Sequence, residues 1–128
     1  MEKERLPGSI LIVEDDHSIR RLVKMVLDRE GYRVDTAADG VEAINKVKEG
    51  DYDVIVLDLM MPNLDGFSFL NRIALDQPTR LSSVIVTSAA APAVIRERMS
   101  GMPFDVLPKP FDIEQLTQRV RDCVDARV

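Results

Sequence analysis

The chain reads as an α/β protein in which one five-stranded parallel sheet is doubly wound, with helices on both faces, and three observations carry that reading. Short apolar runs rich in β-branched residues recur along the chain, the pattern of strands buried on both faces. Amphipathic helical patterns alternate with them, and the connections are short, so each passage from strand to strand is a right-handed crossover. The strand candidates also end in polar or charged residues, which places chemistry along the carboxyl edge of an open sheet.

Each element follows from its own residues. Ser9–Val13 is an apolar strand candidate that ends in acid at Glu14, Asp15 and Asp16, the last expected only to cap a helix. Ile19, Leu22, Val23, Val26 and Leu27 recur at helical spacing until Gly31 ends the helix. Arg33–Ala37 is a short second strand, and Asp39 caps a helix whose apolar stripe is Val41, Ile44 and Val47, closed by Gly50. Residues 54–57 form an uninterrupted apolar run, the central strand, which stops where polarity returns at Asp58. Pro62 and the Asp65-Gly66 pair then force a loop, and a third helix from Gly66 buries Phe67, Leu70, Ile73 and Ala74, ending before Pro78.

The second half repeats the alternation. Residues 83–87 are the fourth strand, and a thin stripe of Val94, Ile95 and Met99 predicts a fourth helix over residues 92–100. Residues 105–107 make a brief fifth strand, followed by Pro108-Lys109-Pro110-Phe111. Asp112 and Gln115 are spaced as a capping box for a last helix that buries Ile113, Leu116, Val120 and Val124. Met99, Met102, Phe104 and Val106 are candidates for an exposed partner surface, and Cys123 for a small core residue.

Composition bounds the function. At 128 residues the chain is one domain with one core, expected over residues 9–127 behind a charged, flexible N-terminal tail of residues 1–8. The formal charge is -5 and the basic residues are scattered, which argues against direct nucleic-acid binding. The start lacks the apolar segment of a secretory signal, and no stretch approaches the ~20 apolar residues of a membrane span, so neither export nor a membrane is expected. Cys123 is the single cysteine, which rules out an internal disulfide and a cysteine zinc site. The setting expected from this is cytoplasmic.

The strand ends carry the chemistry. Glu14, Asp15, Asp58, Thr87 and Lys109 each follow or finish a strand candidate, so they should meet at one edge. Crowded carboxylates need a shared proton or a cation, and an oxygen-only donor set favours a hard ion, most simply Mg²⁺, which keeps several waters and leaves room for a phosphoryl group. Lys109 offers a compact positive charge to phosphoryl oxygens and Thr87 a hydroxyl donor. Asp58 is then the natural nucleophile, giving an aspartyl phosphate.

Ile10-Leu11-Ile12-Val13-Glu14-Asp15-Asp16, the run from Val54 through Asp58 to Met61-Pro62 with Asp65-Gly66, then Thr87, and finally Lys109-Pro110-Phe111 together resemble the receiver domain of a two-component response regulator. Each piece is weak alone, but their order and spacing span almost the whole chain. The resemblance implies a flavodoxin-like sheet of strand order 2-1-3-4-5, with helices one and five on one face and two, three and four on the other. It implies Asp58 as phosphoacceptor, Asp15 and Asp58 as Mg²⁺ ligands with Glu14 assisting, the Met60 backbone carbonyl as a further ligand, Lys109 as contact to carboxylate and phosphoryl, and Thr87 as switch hydroxyl. A cis Lys109-Pro110 bond is also implied.

The function implied is a phosphorylation-activated switch of a phosphorelay. A sensor histidine kinase or histidine phosphotransfer protein donates to Asp58, and the face of the fourth helix, fifth strand and fifth helix then controls an effector. A homodimer is left open. Such a domain catalyses its own phosphoryl transfer and slow autodephosphorylation without being a turnover enzyme. The alternative is a receiver-like interaction module that works without phosphorylation. Mutase and hydrolase chemistry would need an acid two residues after the nucleophile, where Met60 stands. Three features depart from the common pattern: Ser88 follows Thr87 and is the alternative switch hydroxyl, Val106 replaces an aromatic side chain, and Met60 and Ala89 both flank the site as apolar residues. His17, without a second His or Cys beside it, is read as a surface imidazole.

Overall fold

The computed structural model describes residues 8–60, 65–99 and 101–126. Strands and helices alternate as β1 (Ser9–Val13), α1 (His17–Arg29), β2 (Arg33–Ala37), α2 (Gly40–Glu49), β3 (Val54–Asp58), α3 (Gly66–Asp76), β4 (Val84–Ser88), α4 (Pro92–Arg98), β5 (Asp105–Pro108) and α5 (Ile113–Ala126), with a 3-10 helix at Pro78–Ser83. The five strands are parallel in the order β2-β1-β3-β4-β5. This is the expected flavodoxin-like sheet.

Alternation along the strands divides the core into two layers. Leu11, Val13, Ile55, Leu57, Val84 and Val86 face α2, α3 and α4, where Ala43, Val47, Phe69, Leu70, Ile73 and Ile95 cover them. Ile10, Ile12, Val54, Val56, Ile85 and Leu107 face α1 and α5, against Val23, Leu27, Leu116 and Val120. Among the described residues no helix is long and apolar enough to cross a membrane.

Local chemistry starts most of the helices where expected. The side chains of Asp16, Asp39 and Asp65 accept from the amides of Ile19, Glu42 and Ser68 at 2.9, 2.8 and 2.8 Å, each satisfying a free N–H of the first turn. The Asp112 amide donates to Gln115 Oε1 at 2.9 Å, one half of the capping box. Among the described residues, α4 starts without a side-chain cap, behind Ala91. It is held instead by its arginines: Arg96 Nη1 donates to the Phe104 carbonyl at 3.2 Å, and the Arg98 guanidinium lies 3.8 Å from the centre of the Phe67 ring. On the neighbouring element, Arg119 Nη1 donates to both Asp105 carboxylate oxygens, at 2.9 and 2.8 Å.

Several expectations need correction. Val41 is 52% exposed, and Ala43 takes its place beside Ile44 and Val47 on the buried face of α2. In α3 the aromatic core residue is Phe69, while Phe67 lies at the margin under Arg98. The fourth strand begins at Val84, since Ser83 closes the 3-10 helix, and β3, β4 and β5 all run one residue further than their apolar runs. A polar side chain does not end a backbone ladder: Lys109 N still donates to Ser88 O at 2.8 Å. Met99, Phe104 and Val106 are buried rather than displayed, because the turn after α4 folds them onto the sheet. Cys123 is only half-buried, packed at the edge of the α1 and α5 layer. Residues 1–7, Pro62, Ser100 and residues 127–128 lie outside the described residues.

Gly66 secures the join between β3 and α3. Its amide donates to Leu59 O at 3.0 Å, and an added Cβ would stand 2.5 Å from Leu59 Cα and 3.0 Å from Asp58 O. Backbone atoms cannot yield as a side-chain tip can. Gly66→Ala should therefore cost about 1–3 kcal/mol by overpacking, read as a lowered urea midpoint, and should displace the strand end that carries Asp58.

Candidate active site

Parallel pairing brings the strand ends into one line. β3 and β4 are in register with Asp58 opposite Thr87, and β4 and β5 with Thr87 opposite Leu107 and Ser88 opposite Pro108. Glu14 extends β1, its amide donating to Ala37 O at 3.1 Å, and Asp15 follows it into solvent. Carboxylate oxygens of Glu14, Asp15 and Asp58 all lie within 4.8 Å of one another. Glu14 and Asp58 are nearly closed off, at 5% and 4% exposure, while Asp15 is exposed. The cluster is thus buried on one side and open on the other.

The surroundings compensate this charge. Lys109 Nζ reaches Glu14 Oε1 at 3.3 Å and Asp58 Oδ1 at 3.5 Å. The expected Asp58 partner is thus shared between two carboxylates and slightly nearer the other. The Met60 amide donates to Asp58 Oδ1 at 3.1 Å, and the Asp16 amide to Glu14 Oε2 at 3.2 Å. The Met60 side chain points away, 69% exposed. The Lys109-Pro110 bond is cis.

Burial, then the negative charge of Asp58 and a hydrogen bond with it, push the Glu14 carboxyl up to about 7, against the pull of Lys109 and the Asp16 amide. A proton shared inside the cluster is the response to crowded carboxylates that lack a cation. The donor set fits a hard cation: oxygen atoms from three carboxylates, no sulfur or imidazole, and one exposed side where waters can complete the shell.

The switch-hydroxyl candidates separate by face. Thr87 stands opposite Asp58 on the side of the sheet that Ile85 and Val56 share, and its Oγ1 donates to Leu57 O at 3.4 Å. Ser88 falls on the other side, where its Oγ accepts from the Ala90 amide at 3.1 Å. His17 is exposed, as expected, and Asp16 is a cap. One contact had no signal in the sequence: Arg20 Nη1 donates to the carbonyls of Glu14, at 2.9 Å, and Asp15, at 3.3 Å.

Sequence and structure comparisons identify the class. The family model for the response regulator receiver domain matches residues 10–121. The chain belongs to that family and is a receiver domain of the two-component response regulator type. It is 36% identical over 115 residues to the response regulator ArlR of Staphylococcus aureus, an alignment covering 88% of this chain and 50% of that protein. The chain therefore spans about half the length of the curated relatives it matches.

Among solved structures, the receiver domain of Francisella response regulator 1452 superposes with a TM-score of 0.84 at 32% identity, covering 94% of this chain and 99% of that one. The receiver domain of sensor histidine kinase PA1611 from Pseudomonas aeruginosa gives 0.80 at 32% identity, covering 92% and 98%, and its structure holds a magnesium ion coordinated in the active site cleft. The TrrA response regulator of Thermotoga maritima, solved in complex with Mg(2+)-BeF, gives 0.77 at 31%, covering 90% and 97%.

The raised Glu14 pKa has a defined sign. In metal-free protein the folded state binds the extra proton between the ordinary value of 4.5 and about 7, so the contribution to stability is present below that window and is lost as pH rises through it. Denaturant titrations of metal-free protein should show stability falling across this range. Glu14→Gln, which keeps the neutral form at every pH, should flatten the slope and raise metal-free stability at neutral pH.

Proposed function

We propose that this receiver works as a phosphorylation-activated switch, with Asp58 accepting a phosphoryl group from a phosphohistidine of a sensor histidine kinase or histidine phosphotransfer protein. The observation that carries the reading is the buried Asp58 carboxylate at a strand end, with Lys109 at 3.5 Å and two further carboxylates within 4.8 Å. The receiver unit is assigned to residues 9–127, in a cytoplasmic setting.

An Asp58 carboxylate oxygen attacks phosphorus, the O–P bond forms as the P–N bond breaks, and the imidazole leaves and takes up a proton. Glu14, Asp15, Asp58 and the Met60 backbone carbonyl are the residues that would hold Mg²⁺. When bound, the ion neutralises charge on the transferring phosphoryl oxygens and on the cluster. Lys109, already at Asp58 Oδ1, contributes a fixed positive charge there. The Met60 amide on the same oxygen restricts rotation of the carboxylate, so the other oxygen is left as nucleophile.

Thr87 is assigned as the switch hydroxyl. It faces Asp58 in register, and its present bond to Leu57 O, at 3.4 Å, is long enough to exchange for a phosphoryl oxygen. Ser88 is turned to the opposite layer. The movement is passed to the face of α4, β5 and α5, which meets an effector. Val106 lies buried beside α4 and supplies no ring to follow Thr87, so the relay here runs through backbone and aliphatic packing. The completeness of the acidic set supports phosphorylation over a phosphorylation-independent module.

Two outcomes are expected. Incubation with acetyl phosphate and Mg²⁺ should add one phosphate-sized increment to the intact mass, and Asp58→Ala should remain folded and lose the increment entirely; a variant that still labels would move the acceptor elsewhere. Met60 and Ala89 both flank the site without a polar group to orient an attacking water. The label on the wild type should therefore outlast minutes after quenching of the donor, and loss within seconds would count against this account.

A further inference from the structure

We infer that Arg20 is a positioning residue for the cation site, bracing the loop that carries Glu14 and Asp15; the inference rests on the reading of the acidic cluster as a Mg²⁺ site. Arg20 sits in the first turns of α1, yet its side chain turns back over the helix start. Nη1 donates to the carbonyls of both Glu14 and Asp15, at 2.9 and 3.3 Å, and Nη2 lies 3.1 Å from His17 Nδ1. One planar group thus ties two residues of the β1–α1 connection, Glu14 and Asp15, to the first residue of α1, His17.

The three carboxylates are not held equally. Asp58 is fixed by its strand, by Lys109 and by the Met60 amide. Glu14 is fixed by the β2 ladder, by Lys109 and by the Asp16 amide. Asp15 is exposed, one residue beyond the ladder, so its backbone is what places it. Arg20 grips that backbone at the carbonyl. A cation site demands ligand oxygens placed to a fraction of an ångström, and groups that orient the ligands are worth roughly 10–100-fold in metal affinity.

Positioning and simple electrostatics make opposite predictions. A guanidinium beside a cation site repels the incoming ion, so removing its charge alone would tighten Mg²⁺ binding. Loss of the brace would weaken it. Arg21, the next residue, is exposed on the same helix and provides a charge-matched control.

The experiment is a Mg²⁺ titration of metal-free wild type, Arg20→Met, Arg20→Lys and Arg21→Met, followed by calorimetry and amide spectra at a pH above the Glu14 titration. Acetyl phosphate labelling is measured as a function of Mg²⁺ in parallel, with thermal unfolding as a check on the fold. Arg20→Met should bind Mg²⁺ roughly tenfold more weakly. Arg20→Lys keeps the charge but not the fork and should not restore binding, while Arg21→Met should bind as wild type or slightly tighter. In Arg20→Met the half-saturating Mg²⁺ for labelling should rise with its ceiling unchanged. Equal or tighter binding by Arg20→Met overturns the inference. So does a variant with unchanged half-saturation but a lower ceiling and melting temperature, which is the mark of general loosening. Absence of Mg²⁺ binding by the wild type defeats the cation reading itself and this inference with it, a result distinct from either.

Discussion

Three carboxylates brought within 4.8 Å at the edge of a sheet, two of them nearly sealed from water, are the constraint to which the rest of this structure answers. Uncompensated burial of one such charge costs several kcal/mol, and like charges at this separation raise the cost further. Each neighbour is arranged to reduce it. Lys109 bridges two of the carboxylates, backbone amides of Asp16 and Met60 donate to them, and Glu14 holds a proton at higher pH than an ordinary side chain. The site is therefore stable enough to exist and unsatisfied enough to favour a cation. On the proposed reading a phosphoryl group on Asp58 adds negative charge to this cluster, so cation binding and phosphorylation would each strengthen the other.

The sheet is what makes the crowding reproducible. Glu14, Asp58, Thr87 and Lys109 are far apart in sequence, but parallel strands all present their carboxyl ends on one edge, and the ladder register sets which residues stand opposite. Asp58 opposite Thr87 is a consequence of backbone pairing that begins at Ile55 opposite Val84. A slip of one residue would turn both side chains to the other layer, and the continuous apolar runs on either side forbid it.

Much of this was legible beforehand because the relevant signals are local. Buried β-branched runs mark parallel strands, and aspartates at helix starts mark caps, so element order, strand count and the acidic edge could be read from the chain. The readings that failed, and the one left open between two neighbours, concern features set by three-dimensional fit. Val41 and Ala43, or Phe67 and Phe69, are both compatible with an amphipathic helix, and only the rotation at which the helix docks selects the inward member. Phe104 and Val106 looked exposable because their segment is short and irregular, yet it folds onto the sheet. Thr87 and Ser88 differ by one position, and only strand register separates their faces. Arg20 resembled any solvated helix arginine, since nothing in a sequence reveals that a side chain folds backward over its own helix start.

The helices are unequal in how firmly they are made. α1, α2 and α3 each carry an aspartate cap, and α5 carries a capping box, whereas α4 has seven residues, no side-chain cap and one buried side chain, Ile95. So short a helix gains little from propagation after its costly first turn, and its place depends on contacts such as Arg98 on the Phe67 ring. Its local opening is accordingly expected to take less free energy than that of the capped helices, and its amides should be the first to lose protection against hydrogen exchange. An element that is cheap to unfold is also cheap to move, so the landscape is already softest on the face assigned to signal output.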